Sequence, residues 1–127
     1  MYHNGFVKVA SVTPKLTVGN PIYNVTEMLS ILKDVKASIT VFPELSITAY
    51  TCNDLFYQES LLKNTKKAIQ QLLDHNPYKG IVLIGAPLDV DGALYNCAFV
   101  IQQNKILGIV PKFYLPNTKE YYEKRWF

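Results

Sequence analysis

The sequence is poor in the residues that build covalent or metal-based scaffolds. Its 127 residues include two cysteines, Cys52 and Cys97, and no Cys-x-x-Cys pair. Disulfide frameworks and structural zinc sites need several cysteines at short, regular spacings. The two thiols therefore predict neither kind of site, and no metal site is expected.

Arginine is scarce as well, since Arg125 is the single arginine among 13 basic residues. The lysines are spread along the chain, whereas proteins that bind nucleic acids usually cluster Lys and Arg on one face. The densest basic run, from Lys63 to Gln71, has the spacing of the solvated face of a helix. The net charge of +3 therefore gives no reason to expect a nucleic-acid partner.

Long hydrophobic runs are also lacking, because no stretch approaches the roughly 20 apolar residues that cross a membrane. The first residues, MYHNGFVKVASV, do not show the basic leader and long apolar segment of a secretory signal. A cytoplasmic protein without a membrane partner is expected. The hydrophobic fraction of 49% and the charged fraction of 18% are typical of a folded globular chain.

The apolar pattern predicts alternating strands and helices. Strands are predicted at Phe6 to Val12, Ser38 to Phe42, Gly80 to Ala86, Leu94 to Gln102 and Ile106 to Val110. Helices are predicted from Pro21 to about Val35, in one or two pieces from Asn53 to about His75, and within the tail NTKEYYEKRWF. This order implies an α/β layered domain with parallel early strands and an antiparallel hairpin of later strands. The strand Gly80 to Ala86 is apolar enough to be buried on both faces.

Two apolar runs end in a proline that is followed directly by a charged residue. The segment TVFPELS presents Glu44, and the segment GIVPKFY presents Lys112. Proline stops a strand because it has no backbone N–H, and sites in open α/β sheets form at the carboxyl ends of the strands. A carboxylate and an ammonium held there would be a base and a cation suited to acyl transfer.

Two other interpretations of Glu44 and Lys112 stay open from the pattern alone. In the first, they are unrelated side chains that face solvent. In the second, they form one salt bridge that joins two loops, and at the surface such a bridge contributes at most about 1 kcal/mol. Neither of these interpretations requires catalysis.

Four segments carry a resemblance to a known family. They are VFPELSITAYTCNDLF (Val41 to Phe56), IVLIGAPL (Ile81 to Leu88), LYNCAFVI (Leu94 to Ile101) and VPKFYLPNTKEYYEKRWF (Val110 to Phe127). Through them the chain resembles, essentially end to end, the glutamine-hydrolysing domain of glutamine-dependent NAD synthetases, a branch of the nitrilase or carbon-nitrogen hydrolase superfamily. The resemblance implies a nitrilase-like layered α-β-β-α domain that is truncated before its nucleophile-bearing half. Residues 1–127 would be the N-terminal portion of that domain.

The resemblance implies a role for each charged residue. In that superfamily a Glu, a Lys and a Cys hydrolyse amides or nitriles, and the matching positions are Glu44 as general base and Lys112 as the cation that stabilises the oxyanion. A second glutamate near the lysine is matched by Glu123, which would help to position the lysine and the substrate. The alternative for Glu123 is a surface carboxylate paired with Lys119 or Lys124.

Two further positions match the family's glutamine pocket. Tyr50 corresponds to an aromatic residue of that pocket, and Thr118 stands where a tyrosine often contacts glutamine. The chain departs from the family near Tyr50, because a glycine is common where Ala49 and Asn53 stand. These departures affect the details of the pocket and leave Glu44 and Lys112 unchanged.

The resemblance places the nucleophilic cysteine beyond Phe127, after further strands. Cys52 lies where the family often has a cysteine that is not the nucleophile, and Cys97 lies in an apolar strand, where a buried thiol is normally inert. Both are assigned to structure, and the chain alone is expected to be inactive. A half domain would expose apolar faces and sheet edges, so a homo-oligomer is expected.

In the intact relative, L-glutamine would be the substrate, and its ammonia would pass to a synthetase domain that makes NAD. That domain is not represented in the 127 residues, and they contain no Gly-rich phosphate loop. ATP, magnesium and NAD are implied for the full-length enzyme only, and no cofactor is expected for this chain. The alternatives are a stand-alone nitrilase-superfamily amidase and a noncatalytic interaction domain.

Overall fold

The computed structural model describes residues 2–127, with side-chain environments from Asn4 onward. Its strands are β1 (Tyr2–His3), β2 (Phe6–Val7), β3 (Val9–Ser11), β4 (Ile39–Val41), β5 (Ile81–Val90), β6 (Ala93–Gln102) and β7 (Lys105–Pro111). The α-helices are α1 (Pro21–Leu32) and α2 (Glu59–His75). Short 3-10 helices cover Tyr50–Tyr57 and Glu123–Arg125.

Strands β3 to β7 form one five-stranded sheet in chain order. The β3–β4 and β4–β5 pairs are parallel, and the β5–β6 and β6–β7 pairs are antiparallel. This arrangement confirms the predicted α/β layers. Two antiparallel steps separate β5 from β7, so β4, β5 and β7 run in the same direction. Glu44 and Lys112, which follow β4 and β7, therefore lie at the same end of the sheet.

Both α-helices pack on one face of the sheet. They connect β3, β4 and β5, which lie side by side in chain order, and right-handed crossovers in one direction put the connecting helices on the same face. The core between the layers contains Val25, Met28 and Leu32 of α1, Ala68, Ile69 and Leu72 of α2, and Val82, Ile84, Phe99 and Ile101 of the sheet. No helix within residues 2–127 has both the length and the apolar character needed to cross a membrane.

The opposite face of the sheet, here called the open face, is not covered by either α-helix, and within residues 2–127 it is covered only locally, where the Glu44 loop crosses Gly85. Val9 and Val110 lie on its two edge strands and are 57% and 60% exposed. In β5, Val82 points to the helices and is buried, whereas Leu83 points to the open face and is only half-buried. The expectation that Gly80 to Ala86 is buried on both faces is therefore wrong at Ile81 and Leu83, which are half-buried, whereas Gly85 on the same face is buried.

Two predicted elements differ from the structure at the ends of the chain. The segment Phe6 to Val12 is not one strand, because β2 folds back onto β1 through a turn at Asn4 and Gly5, whose φ angles are 51° and 78°. The tail is helical only at Glu123–Arg125. A helix cannot run through Lys119, whose φ of 56° lies in the left-handed region.

Candidate active site

Glu44 lies in a tight loop that follows β4 and crosses over β5. Pro43 stands where the β4 ladder has stopped, and its carbonyl accepts a hydrogen bond from Ser46 N–H at 3.1 Å. The Ser46 hydroxyl in turn accepts a hydrogen bond from Gly85 N–H of β5 at 3.2 Å. These two bonds place the backbone of Glu44 against β5.

Gly85 allows this close approach. A Cβ atom at position 85 would lie 2.2 Å from the backbone nitrogen of Leu45 and 2.9 Å from Cα of Glu44. Strands β5 and β6 separate β4 from β7, and neighbouring strands are about 4.8 Å apart. Glu44 can reach Lys112 because its loop passes over β5 at the one residue that has no side chain.

Lys112 follows β7 directly and lies between two carboxylates. Its Nζ is 2.7 Å from Glu44 Oε1 and 3.0 Å from Glu123 Oε1. Glu123 is 1% exposed, and its Oε1 also accepts a hydrogen bond from the Tyr50 hydroxyl at 3.0 Å. The structure therefore brings Glu44, Lys112, Glu123 and Tyr50 together, and these four residues form the charged cluster discussed below.

Two of the alternative interpretations do not agree with this geometry. Glu44 and Lys112 are not unrelated, because they form a direct ion pair. Glu123 is not a surface carboxylate paired with Lys119 or Lys124, because it is buried and bound to Lys112. Glu44 and Lys112 do join two loops, and the ion pair belongs to a larger hydrogen-bonded group.

Thr118 lies outside the charged cluster. It is exposed, and its carbonyl accepts a hydrogen bond from Tyr121 N–H at 3.0 Å. A pocket of about 280 Å³ beside the cluster is lined by Glu44, Tyr50, Lys112, Pro116, Tyr121 and Glu123. Contact between Thr118 and glutamine stays a prediction, and Tyr121 is the aromatic residue of the tail that borders this pocket.

The cluster favours a charged lysine and a protonated tyrosine. Burial acts to lower the pKa of Lys112, but the hydrogen bonds and negative charges of Glu44 and Glu123 outweigh burial and raise it. Burial raises the pKa of the Tyr50 hydroxyl, and the hydrogen bond and charge of Glu123 raise it further. At neutral pH Lys112 is an ammonium, as the stabilisation of an oxyanion requires.

Asn96 belongs to the site, although the sequence pattern did not single it out. It lies in β6, is 4% exposed, and donates from Nδ2 to Glu44 Oε1 at 2.6 Å. Its backbone carbonyl accepts a hydrogen bond from Lys112 N–H at 2.7 Å. The available signal was a polar residue inside the otherwise apolar run LYNCAFVI, since buried amides need partners.

Both cysteines are buried, with Cys52 at 3% and Cys97 at 4% exposure. The Cys52 thiol donates to the Thr48 carbonyl at 3.1 Å, and Cys97 belongs to the core beneath the helices. Burial raises the pKa of both thiols, which lowers the thiolate fraction at neutral pH. This geometry supports the assignment of both cysteines to structure.

The described residues also form two larger grooves, one that adjoins the cluster and one that is remote from it. One of about 400 Å³ runs from Glu44 and Lys112 onto the open face, where Leu83 and Val110 contribute to its lining. A larger groove of about 810 Å³ lies near the other end of the sheet and contains none of the predicted site residues. Its lining includes apolar side chains and four lysines, Lys8, Lys33, Lys36 and Lys79.

The model of the carbon-nitrogen hydrolase family matches residues 8–127. The chain belongs to this family. Among curated relatives of this carbon-nitrogen hydrolase chain, the glutamine-dependent NAD(+) synthetase of Mycobacterium tuberculosis is 38% identical over 98% of the chain. The chain spans only 19% of that synthetase. The resemblance read from the four segments is thereby confirmed.

Solved structures agree with the family assignment. The glutamine-dependent NAD+ synthetase from Acinetobacter baumannii matches this chain with a TM-score of 0.88 and 31% sequence identity. The match covers 95% of this chain and 23% of the synthetase chain. An amidase from Nesterenkonia sp. matches with a TM-score of 0.80, over 95% of this chain and 47% of the amidase chain. The amidase is 16% identical, so it supports the nitrilase-like fold alone.

Proposed function

We propose that residues 1–127 are the N-terminal portion of the glutamine-hydrolysing domain of a glutamine-dependent NAD synthetase, and that the synthetase domain lies outside them. The observation that carries the proposal is the ion-pair cluster of Glu44, Lys112 and Glu123 at one end of the sheet. The 38% identity to the Mycobacterium tuberculosis synthetase supports this branch of the family. So does the TM-score of 0.88 with the Acinetobacter baumannii synthetase.

In this function Glu44 is the general base and Lys112 the oxyanion cation. Asn96 and Lys112 both donate to Glu44 Oε1, so Oε2 is the oxygen that accepts the proton of a cysteine thiol supplied from outside residues 1–127. The sulfur attacks the amide carbon of L-glutamine, and the carbonyl electron pair moves to oxygen. Loss of one such oxyanion donor typically raises the barrier by about 3 kcal/mol.

Collapse of this intermediate breaks the C–N bond. The proton held by Glu44 moves to the leaving nitrogen, ammonia departs, and a thioester remains on the cysteine. Glu44 then takes a proton from a water molecule, whose oxygen attacks the thioester to release glutamate. The cysteine leaves as a thiolate and takes that proton back from Glu44, so the base and the nucleophile return to their starting states.

The ammonia is then used by the proposed synthetase domain, which gives the whole protein its ligase activity. Within residues 2–127, no group of three or more His, Cys, Asp or Glu side chains is arranged to hold a metal ion. The sequence has no Gly-rich phosphate loop. We propose that ATP, magnesium and NAD belong to the synthetase domain.

The first test measures ammonia release from L-glutamine by the purified chain and by a Glu44→Gln variant. Both thiols of the chain are buried, so we expect no difference between the two proteins. Turnover well above that of the variant would contradict the assignment of the nucleophile to a missing half.

The second test determines the gene sequence downstream of codon 127. The proposal requires an in-frame cysteine after further strands, followed by a synthetase domain. A cysteine without a synthetase domain would favour a stand-alone amidase of the same superfamily. A stop codon at once would favour a noncatalytic interaction domain.

The isolated chain is also proposed to form homo-oligomers. The open face carries exposed apolar residues such as Val9 and Val110, and β3 and β7 present unpaired backbone groups at the edges of the sheet. Association between copies would remove both kinds of surface from water. A monomer would leave them exposed.

A further inference from the structure

Asn96 is a strand residue that is bonded to both loops of the charged cluster. Its side chain donates to Glu44 at 2.6 Å, and its backbone carbonyl accepts from Lys112 N–H at 2.7 Å. Glu44 and Lys112 follow β4 and β7, so both residues lie in loops rather than in hydrogen-bonded strands. Asn96 is therefore a fixed neighbour that the two charges share.

The position of Asn96 is itself firmly determined. It pairs with Pro87 within the antiparallel ladder that runs from Ile81–Gln102 to Val90–Ala93. A side chain on a paired strand keeps its geometry better than one on a loop, because neighbouring residues restrict its backbone and rotamer. Asn96 is 4% exposed, so water competes little for its amide.

The direction of the two hydrogen bonds to Glu44 adds a second argument. Asn96 Nδ2 and Lys112 Nζ both bind Oε1, at 2.6 Å and 2.7 Å. A carboxylate held by two donors on one oxygen cannot rotate without breaking both bonds. Its other oxygen, Oε2, is thereby kept in one orientation. A lysine alone would hold the carboxylate less firmly, because an ammonium is a point charge with rotatable donors.

We propose that Asn96 is a positioning residue that orients the Glu44 carboxylate toward Lys112 and leaves Oε2 free to act as the base. The catalytic meaning of this role rests on the proposed function. The orientation itself is a property of residues 1–127 and can be measured without turnover.

The test measures the pKa of Lys112 in the full chain. The pH titration is monitored by the ¹³C NMR signal of the Lys112 Cε. Lys112 faces the charges of Glu44 and Glu123, with the Tyr50 hydroxyl bound to Glu123, and the two carboxylates raise its pKa. In Asn96→Leu, which keeps the branched side-chain shape and removes the amide, Glu44 is released from its fixed orientation. We expect the pKa of Lys112 to shift downward.

A double-mutant cycle separates positioning from a general loss of structure. If Asn96 acts through Glu44, the Asn96→Leu change shifts the pKa of Lys112 in the wild-type background and has no further effect in a Glu44→Gln background. An unchanged pKa in the wild-type background would overturn the proposal. An equal downward shift in both backgrounds would overturn it too.

Two further variants complete the design, one as a control and one as a substitute for Asn96→Leu. Asn104→Leu removes the same amide from the exposed turn between β6 and β7, and it should leave the pKa of Lys112 unchanged. If Asn96→Leu does not fold, Asn96→Ser replaces it, because a serine hydroxyl is too short to reach Glu44 and should give the same downward shift. Ammonia assays play no part in this result, so a failure of the proposed function would be recognised separately.

Discussion

Gly85 determines how Glu44 approaches the rest of the site. The Glu44 loop crosses β5 at this residue, and a Cβ there would lie 2.2 Å from the backbone nitrogen of Leu45. Ala49 and Asn53 follow in the same region with φ angles of 71° and 51°. A positive φ favours glycine, so both residues adopt a backbone conformation that is uncommon for residues with a side chain.

Replacing Gly85 with alanine should force the Glu44 loop away from β5. We expect the Gly85→Ala change to lower the free energy of unfolding by roughly 1–3 kcal/mol, as overpacking of a close contact does. Urea denaturation followed by circular dichroism measures this difference.

The matched control is Gly108→Ala in β7, where a Cβ would have no atom within 4 Å. Its effect should stay within about 0.5 kcal/mol, as for other surface substitutions. Equal stability of Gly85→Ala and wild type would mean that the loop does not pass as close to β5 as described.

At the scale of elements, the tail is fastened to the 3-10 helix Tyr50–Tyr57. Asp54 accepts hydrogen bonds from Arg125 Nε at 2.8 Å and from Trp126 Nε1 at 3.0 Å. The ring of Phe127 also lies 5.1 Å from that of Phe56. Glu123 begins the helix that contains Arg125, so these contacts help to keep Glu123 beside Lys112.

This attachment predicts a response to acid. The hydrogen bonds from Arg125 and Trp126 lower the pKa of Asp54 to about 2. A carboxyl with a lowered pKa stabilises the folded form above its unfolded pKa of about 3.9, and this contribution is lost as pH falls through the folded value. The fluorescence of Trp126, the single tryptophan, should therefore change with a midpoint near pH 2.

The Asp54→Asn variant is the control for this titration. It lacks the carboxylate at every pH, so its fluorescence at neutral pH should already resemble that of the acid form. A wild-type midpoint near the unfolded pKa of about 4 would show that Asp54 does not hold the tail.

At the scale of the whole molecule, one face of the sheet is covered by helices, and the open face is covered only locally by the Glu44 loop at Gly85. Glu44 and Lys112 lie where a groove leads from the cluster onto the open face. Any protein surface that covers this face would therefore also border the proposed active site. The oligomeric state of the chain thus bears on the site as well as on solubility.

Light scattering of the purified chain should detect species larger than a monomer. Val110→Lys places a charge on the open face and should shift the population toward monomer several-fold, because burying an unpaired charge is unfavourable. Val18→Lys, at a position that is 48% exposed in the loop before α1, should leave the distribution unchanged. A compact monomer for the wild type would contradict the expected association.

The amino-acid sequence by itself was sufficient to predict the order of the two α-helices and of the strands of the five-stranded sheet, and it displays the two Pro-charge endings. These features are local, because periodicity, proline and turn residues act over a few neighbours. The family motifs also identified Glu44, Lys112, Glu123 and Tyr50 as candidates. The course of the tail was not predictable in this way, since contacts with Asp54, rather than helical periodicity, hold it.

Only the tertiary structure decided which of these residues meet. The bond between Asn96 and Glu44 spans 52 positions of the chain, and the bond between Tyr50 and Glu123 spans 73. Such contacts depend on strand register and on the passage of one loop over Gly85, which no local pattern encodes. Burial of Glu123, the role proposed for Asn96 and the open face follow from that long-range geometry, because each depends on neighbours that are distant in sequence.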